Sequence, residues 1–188
     1  MFNNFAQLPY AAYNILMYLV NNNEIIWKML KYNDYDALSK PNLSISEKLD
    51  FVWKFGKQEK FSVFLTGLVE DAIAESKSIL KIYQYYIHAK PNSYISTVVF
   101  AFDFLYGGNM ALINYEGIPV SRGDLFVNQI LDTLNGVDIG GVGTLVFNDD
   151  LSRYISERYV IGNNKTYTGN CLYMGVLMGS LDEECYEP

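Results

Sequence analysis

The sequence predicts an α+β fold: N-terminal helices followed by a mostly antiparallel sheet with helices packed on one face. Three observations carry this expectation. Apolar residues recur at helical spacing through the first third of the chain. Aromatic and β-branched residues fill two long runs in the middle, bounded by turn residues. One helical pattern then separates that pair of strands from further strand-like segments, and such segregation marks an α+β domain.

The helical third begins near Pro9, a residue tolerated in a first turn. Ala12, Ile15, Leu16, Leu19 and Val20 follow at helical spacing. Asn21-Asn22-Asn23 breaks the run, and Asn23 is placed to cap a second helix carrying Ile25, Ile26, Met29 and Leu30, with Trp27 beside them. Residues 33–36 and Pro41-Asn42 read as loop. Ser44-Ile45-Ser46-Glu47 has capping-box spacing, in which the serine and the glutamate satisfy each other's backbone amides. The short helix it opens is expected to run through Leu49, Val52 and Trp53 and to end near Gly56.

The period then changes. Ile79 to Ala89 reads as a strand with Leu80, Ile82 and Tyr86 set against Tyr83, Tyr85 and Ile87. Lys90-Pro91-Asn92-Ser93 is a turn signal. In the next run Tyr94, Val98, Phe100, Phe102, Phe104 and Tyr106 alternate with Ile95, Thr97, Val99, Ala101, Asp103 and Leu105. One face is bulky and the other smaller and partly polar, as a half-covered sheet requires. The two strands are expected to form an antiparallel hairpin. A helix follows, with Ser121 and Asp124 at its start, Phe126, Val127, Ile130, Leu131 and Leu134 on one face, and Asn135-Gly136 as its stop. Val142 to Phe147, Arg153 to Ile161 and Tyr167 to Met178 read as strands, the last weakened by Gly169 and Gly175. The 188 residues form one domain in this reading, with 1–56 as a helical N-terminal part and 79–178 as a sheet-plus-helix core.

Composition restricts the function classes. Half the residues are hydrophobic and 19% are charged, as in an ordinary globular protein. The 16 Tyr and 11 Phe suggest surfaces covered by protein partners, because tyrosine joins a large apolar area to a polar tip. A net charge of −7 without any basic run argues against gripping a phosphate backbone. Cys171 and Cys185 are too few for a disulfide framework, which favours a reducing compartment. The start, Met1-Phe2-Asn3-Asn4-Phe5, lacks the basic region of a signal peptide, and no apolar run approaches the ~18 residues of a membrane span.

No motif carries chemistry. His88 is the single histidine and has no surrounding motif, so a structural role is expected and most zinc patterns are removed. Gly140-Gly141-Val142-Gly143 lacks the Lys-Ser/Thr of a phosphate loop and reads as a hinge between helix and strand. Asp149-Asp150 has no further oxygen donors at loop-ligand spacing. Glu70, Asp71 and Asp103 do not form a recognisable acid pair. Ser78-Ile79-Leu80-Lys81 lacks the companion motifs of a serine-lysine enzyme. Arg122-Gly123-Asp124 falls at a helix start, and Asn164-Lys165-Thr166 is a glycosylation match with nothing to suggest secretion. The expectation is therefore a non-enzyme with no catalytic, metal or cofactor residues and no cofactor.

The run from Ser121-Arg122-Gly123-Asp124 to Leu134-Asn135-Gly136, followed by Ile139-Gly140-Gly141-Val142-Gly143-Thr144-Leu145-Val146-Phe147, resembles phage neck proteins: the tail-terminator, head-closure and tail-completion group. The stretch Glu24 to Tyr32 has a similar flavour. The resemblance covers residues 79 to 178, with residues 10 to 55 as an addition to the simple fold. It implies a structural virion protein, assembled in the host bacterial cytoplasm, that forms a homo-oligomeric ring at the head–tail junction. Portal or connector proteins and tail tube proteins would be its partners, DNA would be passing cargo, and no membrane would be involved. Neighbour contacts are then expected on the smaller face of the strand Tyr94 to Tyr106 or in nearby loops, with the segment Tyr154 to Tyr167 reaching outward. Two other readings compete: a small enzyme with an unrecognised site, and a small monomeric binding module or inhibitor of a host protein.

Overall fold

The computed structural model describes residues 3–67, 77–89, 95–147, 157–161 and 167–179. Strand β1 (Asn3–Asn4) leads through a 3-10 turn at Phe5–Gln7 into helix α1 (Leu8–Asn22), with Pro9 in its first turn. Ala11, Ile15, Leu16, Leu19 and Val20 form its buried stripe, so the inward small residue is Ala11 and not Ala12. Asn23 ends α1 and opens α2 (Ile25–Lys31): its amide donates to the Leu19 carbonyl at 3.1 Å, and its Oδ1 accepts from the Ile26 amide at 2.8 Å. Trp27 is fully buried and its Nε1 donates to the same Leu19 carbonyl at 3.1 Å. Both halves of the expected capping box are present at α3 (Ile45–Asp50), where the Ser44 amide donates to Glu47 Oε2 at 2.9 Å and the Glu47 amide to Ser44 Oγ at 3.3 Å.

Helix α3 stops six residues before Gly56, which corrects the longer helix expected there. Val52 pairs with Val63 and the Trp53 amide donates to the Val63 carbonyl at 2.8 Å. These bonds pull the chain out of the helix and toward β2 (Val63–Phe64). Then come β3 (Ile79–Ala89), β4 (Ile95–Gly107), the hairpin β5 (Leu112–Tyr115) and β6 (Ile118–Ser121), and α4 (Arg122–Leu134). β7 (Asp138–Ile139), β8 (Gly143–Thr144), β9 (Glu157–Ile161) and β10 (Tyr167–Gly179) complete the described chain.

The main sheet runs β1-β10-β4-β3-β2, with β9 also on β10. The long pairings β3–β4, β4–β10 and β9–β10 are antiparallel, and the two-residue pairings β1–β10 and β2–β3 are parallel. The α+β expectation is borne out, hairpin included. The bulky residues Phe100, Phe102 and Phe104 point at the helices, where Phe104 stacks on Phe126 at 4.4 Å. One apolar cluster runs from Ala11 to Met178 through α1, α2, α4 and the strands β2, β3, β4, β5, β7 and β10. Burying fully even one such side chain contributes about 1.5–3 kcal/mol.

Two further expectations need correction. The smaller face of β4 is not half-covered: Val99 and Ala101 are fully buried among Tyr83, Tyr86, Cys171 and Tyr173, and Leu105 is buried with Phe64 and Ile79. Val142 to Phe147 is not a continuous strand. The glycine run makes a hairpin between β7 and β8, with Gly141 and Gly143 at φ +78 and +106, and only Val146 goes on to pair with Gly175. Positive φ at those two positions reverses the chain faster than the expected hinge would. Tyr94, Tyr154, Asp149-Asp150, Glu70, Asp71, Asn164-Lys165-Thr166 and Cys185 lie outside the described residues.

Candidate functional site

The buried polar groups come first, because chemistry would need them. Arg122 is fully buried. Its Nη1 donates to the carbonyls of Met29 (3.0 Å) and Tyr32 (3.1 Å), and its Nη2 to that of Asp34 (3.0 Å). The guanidinium therefore closes the C-terminal end of α2 and ties it to the first turn of α4, and burial lowers its pKa below the usual arginine value. Ser121 Oγ accepts from the Asp124 amide at 3.3 Å as the N-cap. A Cβ on Gly123 would meet the Tyr106 hydroxyl at 2.7 Å and also Asn170 Oδ1. Each residue of Ser121-Arg122-Gly123-Asp124 thus has an architectural task.

A second polar group lies in the other face of the sheet. Lys81, Asp103 and Cys171 are direct neighbours across β3, β4 and β10. Lys81 Nζ stands 3.2 Å from Asp103 Oδ2, and the Tyr83 hydroxyl donates to the same oxygen at 3.2 Å. Burial, with the Asp103 charge adding to it, pushes the Tyr83 hydroxyl well above its usual range. A phenol so shifted stays protonated and serves as a donor. Lys48 is the third buried charge, donating to the Val20 carbonyl at 2.9 Å and pairing with Glu24 at 2.8 Å. Ser78 is fully buried, and His88 is exposed opposite Thr97. Among the described residues no three His, Cys, Asp or Glu side chains gather into a metal site.

Two surface features remain. Residues 53–60 form a loop whose tip carries Phe55, 80% exposed, with exposed Lys54, Lys57 and Lys60 around it. Its roots are held: Trp53 Nε1 donates to the Gly56 carbonyl at 3.1 Å, the Trp53 ring packs 6.2 Å from Phe64, and Gly56 takes φ +86. A cleft of about 370 Å³ opens where the start of α2 and the turn Ala37–Ser39 meet the tip of the β5–β6 hairpin. Ile25, Leu38 and Tyr115 give it an apolar lining, and Asp36 and Glu116 supply acid. Asn114 holds the hairpin in place, its amide donating to the Tyr35 carbonyl at 2.8 Å and its Oδ1 accepting from the Gly117 amide at 2.9 Å. The turn residues Glu116 and Gly117 have φ 54 and 86.

Sequence reasoning missed both features. The alternation Leu112-Ile113-Asn114-Tyr115 and Ile118-Pro119-Val120-Ser121 was the available hairpin signal. Glu-Gly is a weak version of the Asn-Gly or Asp-Gly pair that usually marks such a turn. Lysines at 54, 57 and 60 around a phenylalanine were the available signal for the loop.

The YomW family matches residues 23–176, which is most of the chain. The chain belongs to the YomW family. The family's namesake is a phage-derived Bacillus gene product, so the family is phage-associated. The YomW match takes in α2, α3, every element from β2 to β9 and most of β10. β1 and α1 lie outside the matched range, yet Ile15, Leu16 and Leu19 are fully buried in the same apolar cluster. No curated protein and no solved structure matches the chain. No helix among the described residues is long and apolar enough to cross a membrane.

Proposed function

We propose that this YomW-family chain is a structural virion protein that acts by contact, forming a ring of identical subunits at the head–tail junction around the DNA channel. The observation that carries the reading is the distribution of exposed large apolar side chains. Tyr10 and Tyr13 lie on α1, Phe55 on its loop, Tyr85 and Ile87 on β3, and Leu112 and Ile118 on the β5–β6 hairpin. A binding module with one partner concentrates such residues in one patch. A ring subunit meets a neighbour on either side and further proteins above and below, through different patches. The phage association of the family supports the same reading, as does the engagement of Arg122, Lys81, Asp103 and Lys48 in holding elements together. The net charge of −7 suits a lumen past which DNA slides without adhering.

The test is location. Phage particles carrying an epitope-tagged copy of the chain are imaged with a gold-labelled antibody. Label at the junction between head and tail is the expected result. Particles without the chain, with the protein recovered instead on a host protein in infected cells, would replace this reading with that of a host-directed binding module.

A further inference from the structure

We propose that the Phe55 loop of one copy seats in the acidic cleft of the next, giving the ring its head-to-tail contact. This rests on the assembly reading above and names the surfaces that would meet. The two surfaces are complementary in three respects. The loop presents a projecting aromatic ring, 80% exposed, and the cleft offers about 370 Å³ of space lined by Ile25, Leu38 and Tyr115. That volume lies at the lower end of the ~300–1,000 Å³ range of small-molecule pockets, enough for an aromatic ring. The loop carries Lys54, Lys57 and Lys60 against one acid, Glu59, 3.9 Å from Lys57, and the cleft carries Glu116 together with Asp36, which also pairs with Lys40 at 3.0 Å. Both parts are set before contact, the loop by the Trp53–Gly56 hydrogen bond and the cleft by the Asn114 bonds, so little ordering entropy remains to be lost.

A second copy is the occupant that these facts favour. Knob and cleft occur on one chain, on elements that share no residue. A patch that fits a different patch on an identical molecule makes a heterologous contact, which closes into a ring or runs on as a filament. Chains of net charge −7 repel one another in general, so opposite local charge favours a contact where they touch. Such a contact weakens as salt screens it.

The experiment uses the full chain and sedimentation velocity over a range of concentrations and salt. The wild-type chain is expected to assemble as concentration rises and to dissociate as salt rises. Phe55→Ser, Lys57→Glu and Glu116→Lys should each raise the concentration for half-assembly by about tenfold or more. An equimolar mixture of Phe55→Ser and Glu116→Lys should stop at two subunits, because only one intact knob faces one intact cleft. Lys57→Glu and Glu116→Lys in the same chain should recover assembly by restoring opposite charge. All three altered positions are exposed, and unchanged thermal melting will separate loss of contact from loss of fold. Variants that assemble like the wild type would overturn this contact and leave the ring reading standing. A wild-type chain that stays monomeric throughout would also overturn it, and particle imaging decides the ring separately. Retention of a DNA duplex that depends on Phe55 and the lysines, with no effect of Glu116→Lys on assembly, would assign the loop to nucleic acid instead.

Discussion

Arg122→Met should destabilise the chain by about 3 kcal/mol, and the reasoning can be followed bond by bond. The guanidinium donates three hydrogen bonds to main-chain carbonyls at 3.0–3.1 Å. Bonds from a charged donor contribute roughly 1.5–3 kcal/mol each. The simple sum overshoots for two reasons. The carbonyls of Tyr32 and Asp34 are only part-buried, so water can replace their partner, whereas the buried Met29 carbonyl would be left without one. Burying the guanidinium also carries a desolvation cost, visible in its lowered pKa, and methionine removes that cost while keeping most of the packing volume. The orphaned Met29 carbonyl and the lost link between α2 and α4 win, because the alternative donors are absent from an apolar surrounding. Arg122→Lys keeps the charge but offers one compact donor group in place of a planar fork, so it should also lose stability. Urea unfolding followed by tryptophan fluorescence measures both, since Trp27 lies in α2. If both variants lose less than about 1 kcal/mol, the three bonds do not hold the end of α2 and the account fails. A whole domain is stable by only about 5–15 kcal/mol, so the expected loss is readily visible.

Three further outcomes follow from the same geometry. Lys31 beside Glu47, together with the Ser44 amide, lowers the Glu47 carboxyl from 4.5 to about 2. The stability it contributes is therefore fully present above 4.5 and lost as pH falls toward 2; carboxylate NMR titration should find that low midpoint, and Glu47→Gln should flatten the acid limb of melting temperature against pH. Gly169→Ala would drive a Cβ into the Phe104 carbonyl on the neighbouring strand, and differential scanning calorimetry should record a cost of about 1–3 kcal/mol or loss of folding. Tyr83 is raised, so its contribution is complete below its ordinary value of 10.0 and declines as pH rises above it; Tyr83→Phe should remove that share of the alkaline loss in pH-dependent melting.

Much of the fold was legible because it rests on local rules. The period-two pattern of Val98 to Tyr106 fixed a strand and the face that meets the helices. Ser44 with Glu47, Asn23, and Asn135-Gly136 announced their helix ends through side-chain geometry that acts within four residues. What was not legible depends on register between distant segments. Asp103 meets Lys81 only because β3 and β4 align at that rung, and a shift of one residue would turn both to the opposite face. Nor does sequence show that Tyr83, Tyr86 and Tyr173 would cover the smaller face of β4. Arg122 gave one hint: a cation in the first turn of a helix opposes the macrodipole, which suggests a partner elsewhere. The surface loop and the cleft left weaker traces, since their parts lie on elements far apart in the chain.

The edges of the sheet bear on how copies would meet. An edge strand is a ready template for another strand, and proteins usually cover or interrupt it. On β10 the outer edge is occupied by pieces from three places: β9 along Tyr167 to Cys171, Val146 at Gly175, and β1 at Met178 and Gly179. Each piece is short, and together they leave a neighbour no long run on which to add a strand. Strand addition along β10 is thus a poor route to a ring. At that edge a contact would pass instead through elements that project from the sheet, such as the 53–60 loop with its three lysines or the β5–β6 hairpin with Glu116 at its tip. Side chains on such projections can be exchanged one at a time without disturbing the ladder beneath them, so substitution at the tips tests a contact made there separately from one made along a strand.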